Sequence, residues 1–458
     1  MEIPTISALL LVLLVAQLHG SAAITAGAPD GAELWGYTNI RPKAHLFWWY
    51  LRSPQRVSSP AKAWPTILCL PGSLGVSAVG RGNFQEIGPL DVNLKPRNWT
   101  WLQMADLLFV DNPVGVGYSY VDDPSALAKT DLQAAMDVTE LLKVVVKEIP
   151  ELQGSPLYLV GEFYGGKLAA MIGTLVARAI HAGTLHLKLG GVALGDSWIS
   201  PDDFALSYAQ LLHDVSRLND NAVGEANKMA ATVKEQMLAG QFAAARKTWT
   251  DLLSFIDSIS DSVNMENFLL DTGMNPVFVD DSRTSSPSLR STQLIYISSQ
   301  APVSATNSIS GIMNGVIKKK LKIIPKDLTW QEASIQVYDA LANNFMKPAI
   351  NEVDELLSYG VNVTVYNGQL DVICSTIGAE AWVKKLKWQD MKAFLSLSRQ
   401  PLYYCDPPNY CSRQIKSYIR SYKNLQFYWV LNAGQFVPID QPYVAFKMMA
   451  SITQSPGN

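Results

Sequence analysis

The chain has few histidines, few charged residues and no apolar run long enough to cross a membrane. It contains five histidines among 458 residues, and none of them lies beyond position 213. Charged residues make up 17%, below the roughly 25% usual for globular domains. A net charge of −3 provides no electrostatic attraction to nucleic acid or to an anionic membrane. We therefore predict no nucleic-acid partner and no membrane partner, and the composition assigns no oligomeric state.

The N-terminus indicates a secretory route. Residues 9–16 are apolar and residues 20–23 are small, which is typical of a signal peptide and its cleavage site, although the segment lacks a positive charge at its start. Two glycosylation sequons follow, at Asn98 and Asn362. We predict a signal peptide over residues 1–23, glycans on both asparagines, and an extracellular or vacuolar/lysosomal destination.

Four cysteines are present, and their spacing does not match a zinc site. Cys405 and Cys411 flank a turn-rich pentapeptide, which in an oxidising compartment predicts a local disulfide. Cys69 is predicted to be a buried thiol because it stands at the end of an apolar run, and Cys374 because no histidine stands near it to activate it. No metal and no cofactor is predicted.

Short apolar runs alternate with helical patterns, which predicts a mostly parallel sheet covered by helices on both faces. The six runs lie at residues 66–70, 106–110, 157–160, 191–194, 361–366 and 425–431. Thr130 and Gln133 form a capping-box start for one helix, which Pro150 should end. The fold class predicted is α/β, with core segments 24–200 and 346–458 and a helical cap insertion at 201–345 that includes a Ser/Thr-rich loop at 282–310.

Residues 161–165 have the frame of a nucleophile elbow, G-x-S-x-G, with Phe163 where the serine should stand. The apolar run 157–160 precedes this turn and a small-residue helix, 167–177, follows it. In an α/β-hydrolase, this junction presents a serine hydroxyl above the sheet. Phe163 should either relax the strained turn or fill the former active-site pocket, with its ring against Gln435. Lys167 is predicted to lie at the surface.

Further motifs follow in a recognisable order along the chain. They are the turn at 71–75, Gly-Asn-Phe at 82–84, Asp-Asn-Pro-Val-Gly at 111–115, Gly-Asp-Ser-Trp at 195–198, Asn-Gly-Gln-Leu-Asp at 367–371 and Ala-Gly-Gln-Phe at 433–436. This series resembles the serine carboxypeptidases of the carboxypeptidase Y type, most closely their retinoid-inducible and plant members. The resemblance implies an α/β-hydrolase fold and the release of C-terminal amino acids from peptides.

That activity uses a Ser-His-Asp triad, and its three positions fall on Phe163, Gln435 and Asp371. Phenylalanine cannot attack a carbonyl, and a neutral amide cannot take and return a proton. Only Asp371 retains the residue of the family. The resemblance therefore places two losses at the centre of the expected catalytic site.

The resemblance assigns the oxyanion hole to the backbone N–H groups of Ser73 and Tyr164, and the binding of the substrate carboxylate to Glu86 and Glu162 in protonated form. Pro71 stands where the family has a polar residue, which removes an N–H group and a side-chain donor. We therefore expect an inactive or severely impaired carboxypeptidase-like protein that binds a peptide or small molecule in its former active-site cleft. The alternative is an active serine carboxypeptidase, as similarity alone would indicate.

Overall fold

The computed structural model describes residues 23–57, 63–70, 72, 74–272, 308–404 and 414–456. Several predictions lie outside these residues: most of the leader, the loop segment up to residue 307, the Cys405–Cys411 pair, and the turn residues Pro71 and Ser73. No helix within the described ranges is both long and apolar enough to span a membrane.

The centre of the molecule is a mixed sheet of twelve strands. Their bounds are β1 Ala23–Gly27, β2 Glu33–Arg41, β3 Ala44–Leu51, β4 Thr66–Leu70, β5 Asp106–Val110, β6 Tyr120–Val121, β7 Pro156–Glu162, β8 Lys188–Gly195, β9 Val363–Gly368, β10 Gln400–Leu402, β11 Ser417–Tyr422 and β12 Leu425–Val430. The order across the sheet is β1-β2-β3-β5-β4-β7-β8-β9-β12-β11-β10, and β6 pairs with β3.

The six predicted apolar runs are confirmed as the six central strands, β5, β4, β7, β8, β9 and β12, which pair in parallel. Strands β4, β5, β7 and β9 are buried along their whole length, as expected for parallel strands covered on both faces. The antiparallel strands at both edges were not predicted. They extend the sheet beyond its parallel centre without contributing a predicted site residue.

Helices cover both faces of the sheet. The longer helices are α1 Asp131–Glu148, α2 Phe163–His181, α3 Pro201–Asp214, α4 Asp220–Leu238 and α5 Phe242–Ile259, and the shorter ones are α6 Ile309–Ile312, α7 Lys318–Leu321, α8 Ile335–Ala340, α9 Ile350–Ser358, α10 Thr376–Lys384, α11 Met391–Ser396, α12 Val437–Asp440 and α13 Pro442–Thr453. A π-helical segment covers Ala78–Ile87. Two buried apolar clusters, one on each face of the sheet, form the core.

The predicted helix start at Thr130 is confirmed, because the Thr130 hydroxyl accepts a hydrogen bond from the Gln133 backbone N–H at 3.1 Å. The Gln133 side chain accepts from the N–H of Lys129 at 3.0 Å, one residue before the position expected in a capping box. Between β8 and β9 the helices α3, α4 and α5 follow one another, and their buried residues belong to the same core cluster as the sheet. The domain limits at residues 200 and 345 stay predictions.

Candidate functional site

The candidate site lies at the carboxyl ends of the central parallel strands, where open α/β sheets place their ligands. Glu162 is the last residue of β7, and Asp196 directly follows β8. Asp371 and Gln435 lie in the loops after β9 and β12. Because these strands pair in parallel, their ends bring residues from distant parts of the sequence to one edge of the sheet.

Phe163 begins α2 directly after β7, so the strand–turn–helix junction expected of an elbow is present. Its backbone has a φ of +46°, a left-handed conformation that favours glycine. Of the two predicted alternatives, relaxation of the turn is therefore wrong. The Phe163 ring is 1% exposed and lies 5.3 Å from the Trp198 ring and 6.3 Å from the Phe345 ring, measured between centroids. It fills space beside these aromatic rings, and a contact with Gln435 stays a prediction.

The backbone N–H of Tyr164, assigned to the oxyanion hole, donates a hydrogen bond to the carbonyl oxygen of Gly72 at 2.8 Å. The N–H of Gly165 donates to the same oxygen at 3.2 Å. An oxyanion hole requires donors directed at the place where negative charge develops. Here a carbonyl oxygen of the chain itself already accepts from the Tyr164 donor.

Asp371 is completely buried and interacts with a second buried carboxyl group, that of Asp196. Burial raises the pKa of both groups well above the usual range of a carboxyl. The Oδ2 atoms of both residues have no other hydrogen-bond partner within the described ranges, so a proton held between the two carboxyl groups would satisfy them. Such a pair titrates as a unit because its members cannot both ionise easily.

Gln435 occupies the position expected for the general base. Its backbone N–H donates to the carbonyl oxygen of Glu266 at 2.9 Å, and its side chain is 3% exposed. The side-chain amide faces a cleft and makes no hydrogen bond to another residue in the part of the chain that the structure describes. An amide in this place can accept and donate hydrogen bonds, but it cannot transfer a proton at neutral pH.

The two carboxyl groups assigned to substrate binding differ in their surroundings. Glu162 is buried, and its Oε1 accepts from the hydroxyl of Tyr366 at 3.2 Å. Burial, with a contribution from Glu86, raises the pKa of Glu162 well above its usual range, which favours the neutral acid. Glu86 instead forms an ion pair with the buried guanidinium of Arg81, whose Nε lies 3.0 Å from its Oε1. The side chain of Glu86 is thus already bound by a cation.

A cleft of about 1300 Å³ opens beside Gln435. The aromatic rings of Phe84, Trp330 and Phe436 contribute to its walls. The guanidinium of Arg81 also lines it, with its central carbon 4.2 Å from the centroid of the Phe436 ring. This volume exceeds the roughly 300–1,000 Å³ of most small-molecule sites.

Of the predicted site residues, Gln435 alone is among the described residues that line this cleft. The remaining predicted residues do not line it, although the backbone N–H of Cys374 donates to Asp371 Oδ1 at 3.2 Å. Cys69 and Cys374 are buried free thiols, as predicted, and burial raises their pKa values well above the usual range. Asn98 is exposed. Asn362 is also exposed, although its amide nitrogen donates to the carbonyl oxygen of Gly190 at 3.1 Å. Glycosylation of the two asparagines stays a prediction.

Sequence reasoning missed three residues around the site. Asp196 and Arg81 were not singled out, since nothing in the sequence pairs them with Asp371 and Glu86. The prediction of a surface position for Lys167 is wrong, because its amino group is buried and lies 2.7 Å from Asp131 Oδ2. The surplus of small and apolar residues around Lys167 in its helix was the available signal that this turn is buried.

The parallel sheet, the helices on both faces and the elbow junction define an α/β-hydrolase fold. Among solved structures, the prohormone-processing carboxypeptidase Kex1 from Saccharomyces cerevisiae is similar, with a TM-score of 0.70 at 22% identity over 92% of this chain and 91% of that chain. At this identity the similarity shows the fold.

The family model described as serine carboxypeptidase matches residues 25–455, and the chain therefore belongs to the serine carboxypeptidase family. It is 51% identical over 438 residues to serine carboxypeptidase-like 51 of Arabidopsis thaliana, covering 93% of each chain. It is 42% identical over 449 residues to the human retinoid-inducible serine carboxypeptidase, covering 97% of each chain. The predicted family is thus confirmed.

Proposed function

We propose that this member of the family is a secretory-pathway pseudoenzyme, which binds a peptide or small-molecule ligand in its cleft without hydrolysing it. The observation that carries the proposal is Phe163, a buried phenyl ring at the position of the nucleophile. The leader and the sequons support the secretory route, with an extracellular or vacuolar/lysosomal destination.

The position of the general base supports the same proposal. Gln435 has no titratable group, and Asp371 is engaged with Asp196. The carboxylate of a triad acts by orienting an imidazole and stabilising its charged form. Because Gln435 replaces the histidine, Asp371 has no imidazole to orient. Its interaction with Asp196 transfers no proton to a substrate.

The rate effects of removing triad residues favour a severe loss of activity over a modest one. Removal of the serine or the histidine from a related triad costs about 10⁶-fold in rate. The remaining acceleration of about 10³–10⁴-fold over water comes from the oxyanion hole and from substrate binding. In this chain the Tyr164 donor is bound to the Gly72 carbonyl, and Glu86 is bound to Arg81. Both sources of the remaining rate are therefore weakened.

An active serine-type carboxypeptidase is the alternative, and the 51% identity to serine carboxypeptidase-like 51 favours it. Such an enzyme would need a nucleophile outside the elbow. Ser197, the nearest serine after β8, directs its hydroxyl to the carbonyl oxygen of Gly195 at 3.0 Å and is 3% exposed. Among the described residues no base lies beside it, and it does not line the cleft, which argues against this route.

A fluorophosphonate probe, which labels activated serines, separates the two functions. We expect no labelling of the purified protein and no release of amino acids from a panel of N-blocked peptides. Labelling of any serine in the unmodified protein, abolished by heat denaturation, would overturn the proposal.

Two revertants act as controls. The first carries Phe163→Ser and Gln435→His. The second adds Pro71→Asn and Ser73→Gly, the residue types that the resemblance to the family gives at these two positions. Labelling of the second revertant alone would indicate that the oxyanion site had been lost as well as the triad. Labelling of both would indicate that the loss is confined to the two triad positions.

A further inference from the structure

The charges that line the cleft are unbalanced. Among the described lining residues, four carry carboxylates and two carry guanidiniums; these are Asp91, Glu266, Glu332 and Asp440, and Arg81 and Arg97. In a partly desolvated cleft, a surplus of one sign raises the local concentration of ligands with the opposite charge. The lining therefore favours a cation over an anion.

Both guanidiniums are already held by the protein. Arg81 donates to Glu86 at 3.0 Å, and its Nη1 lies 3.9 Å from Glu332. Although burial by itself lowers the pKa of Arg81, the carboxylates of Glu86, Glu332 and Glu266 raise it. Arg97 donates to two backbone carbonyl oxygens, those of Gly88 and Phe84. The carboxylates of Asp91 and Glu86 also act electrostatically on Arg97. Both guanidiniums therefore already have carboxylates of the protein close by.

A second observation points to a ligand in the same cleft. Gln435 lines the cleft and is 3% exposed as a whole residue, and its side-chain amide has no hydrogen-bond partner within the described ranges. Buried polar groups are usually hydrogen-bonded. A ligand that donates to the Gln435 carbonyl oxygen or accepts from its NH₂ group would satisfy this amide. The amide therefore indicates a polar ligand, and the charge of the lining selects the sign of that ligand.

The mouth of the cleft is apolar. Leu270, Ile335 and Ile439 line it and are exposed, Ile335 to 62%. Exposed aliphatic side chains grouped at a cleft indicate contact with apolar parts of a ligand. Trp330, which is 1% exposed, also contributes to the lining, and aromatic rings attract cations.

We infer that this cleft selects a ligand with an ammonium or guanidinium group on an apolar body, and that it discriminates against a free C-terminal carboxylate. The inference rests on the proposed function, since it concerns what the cleft binds when no hydrolysis takes place. A cleft of this kind differs from a binding site for peptide C-termini, because its surplus of carboxylates repels the C-terminal carboxylate that such a site must bind.

Three N-acetylated tripeptides test this inference by titration calorimetry on the full secreted chain. They are acetyl-Leu-Phe-Arg-amide, the same peptide with the uncharged isostere citrulline, and the arginine peptide with a free carboxylate. We expect the arginine amide to bind about tenfold more tightly than the citrulline amide, as one favourable charge interaction predicts. The free acid should bind several-fold more weakly than the amide, and both differences should shrink as salt is raised.

Variants locate the effect in the cleft. Glu266→Gln and Asp440→Asn keep the side-chain shapes and should each reduce the arginine preference several-fold. Glu235→Gln, at an exposed site on α4, removes the same charge away from the cleft and should leave it unchanged. The inference is overturned if the citrulline and arginine amides bind equally, if neither binds, or if the free acid binds best.

The same samples keep the two proposals distinguishable. Mass spectrometry of the free-acid mixture after incubation reports any released arginine. Release would contradict the proposed loss of catalysis while leaving the charge preference to stand on the binding data. If no arginine is released and the arginine amide shows no preference over the citrulline amide, only the inference about a cationic ligand is contradicted.

Discussion

The rings of Phe163 and Trp198 lie 5.3 Å apart at an interplanar angle of 52°. The two backbones are also joined, because the N–H of Trp198 donates to the carbonyl oxygen of Phe163 at 2.8 Å. Phe163 thus combines the left-handed φ of an elbow with the packing of a core residue. Strained backbone at a functional site is usually tolerated for the sake of function. Here the ring packing offsets the cost instead.

This combination predicts an unusual order of stability among Phe163 variants. Phe163→Ala should lower the free energy of unfolding by about 3–5 kcal/mol, because a cavity is left among the rings. Phe163→Gly should be no less stable than Phe163→Ala, since glycine adopts a positive φ without strain. Chemical denaturation of both variants measures the order.

Phe204, which lies within α3 and stacks on Trp198, is the matched control. There we expect the usual order, with glycine about 1 kcal/mol less stable than alanine in a helix. The same order at both positions would contradict the role of backbone strain at Phe163.

The buried carboxyl groups predict greater stability in acid. Burial raises the pKa of Asp111 to about 6 and raises those of Glu162, Asp196 and Asp371 well above the usual range. The folded state therefore holds protons that the unfolded state releases, starting near the ordinary carboxyl pKa of about 4. Their stabilising effect is present below that pH and is lost as pH rises through the folded-state values. We expect a higher melting temperature at pH 5 than at pH 7.5.

Asp371→Asn should flatten this pH dependence and raise the melting temperature at pH 7.5, because it removes one carboxyl from the pair with Asp196. Asp91→Asn serves as the comparison. Hydrogen bonding from the backbone of Lys95 lowers the pKa of Asp91. Removal of this carboxylate should therefore not flatten the pH dependence of the melting temperature. A melting temperature that rises steadily from pH 5 to pH 7.5 would rule out this account.

The buried ion pair beneath the elbow predicts a large effect for Lys167. Its Nζ lies 2.7 Å from Asp131 Oδ2 and donates to the carbonyl oxygen of Asn344 at 2.7 Å, while the hydroxyl of Tyr164 also donates to Asp131. Lys167→Met would leave the carboxylate of Asp131 buried without its cation. Loss of one partner from a buried pair costs about 3–5 kcal/mol.

The exposed pair Lys247–Asp251 on α5 is the control, with N–O separation of 2.7 Å. Lys247→Met should change the free energy of unfolding by less than about 0.5 kcal/mol, as is usual for surface pairs. Equal changes in the free energy of unfolding for the two substitutions would contradict the large cost expected for the buried Lys167–Asp131 pair.

The secretory proposal predicts a glycan on Asn98. This residue is exposed, and it precedes a turn that begins at Trp101. When the chain is secreted from eukaryotic cells, Asn98→Gln should increase its electrophoretic mobility by the loss of one glycan. Asn93→Gln, at an exposed asparagine outside a sequon, should not change the mobility. Identical mobility of the Asn98→Gln variant and the parent would remove this support for the secretory route.

The central sheet could be predicted because its strands carry a local signal. Runs such as Thr66–Leu70 and Asp106–Val110 are apolar on both faces, and the predicted limits agree with the structure. The edge strands β2 and β3 are also rich in apolar and aromatic residues, but they were missed, since their antiparallel pairing is not part of an alternating strand–helix pattern. Local periodicity thus identified the parallel centre and not the extent of the sheet.

Buried charges were the hardest part to predict. Lysine is seldom fully buried unless it is paired, and the partner of Lys167 lies 36 residues earlier in the chain, on a different helix. Arg81 lies in a glycine-rich segment that indicated no burial, and only one of its two partners, Glu332, is distant in the sequence, whereas Glu86 lies five residues away. Pairing between distant residues becomes visible only once the helices and strands are packed.

The sequence by itself determined what chemistry is missing. Phe163 has no hydroxyl and Gln435 has no imidazole, and no arrangement of the backbone can supply either group. The tertiary structure alone decided how the remaining groups are used: Asp371 interacts with Asp196, Arg81 holds Glu86, and the Tyr164 N–H binds the Gly72 carbonyl. The physical reason is that side-chain identity sets which reactions are possible, whereas the order of the strand ends and the burial around them sets which groups meet and which protons they hold.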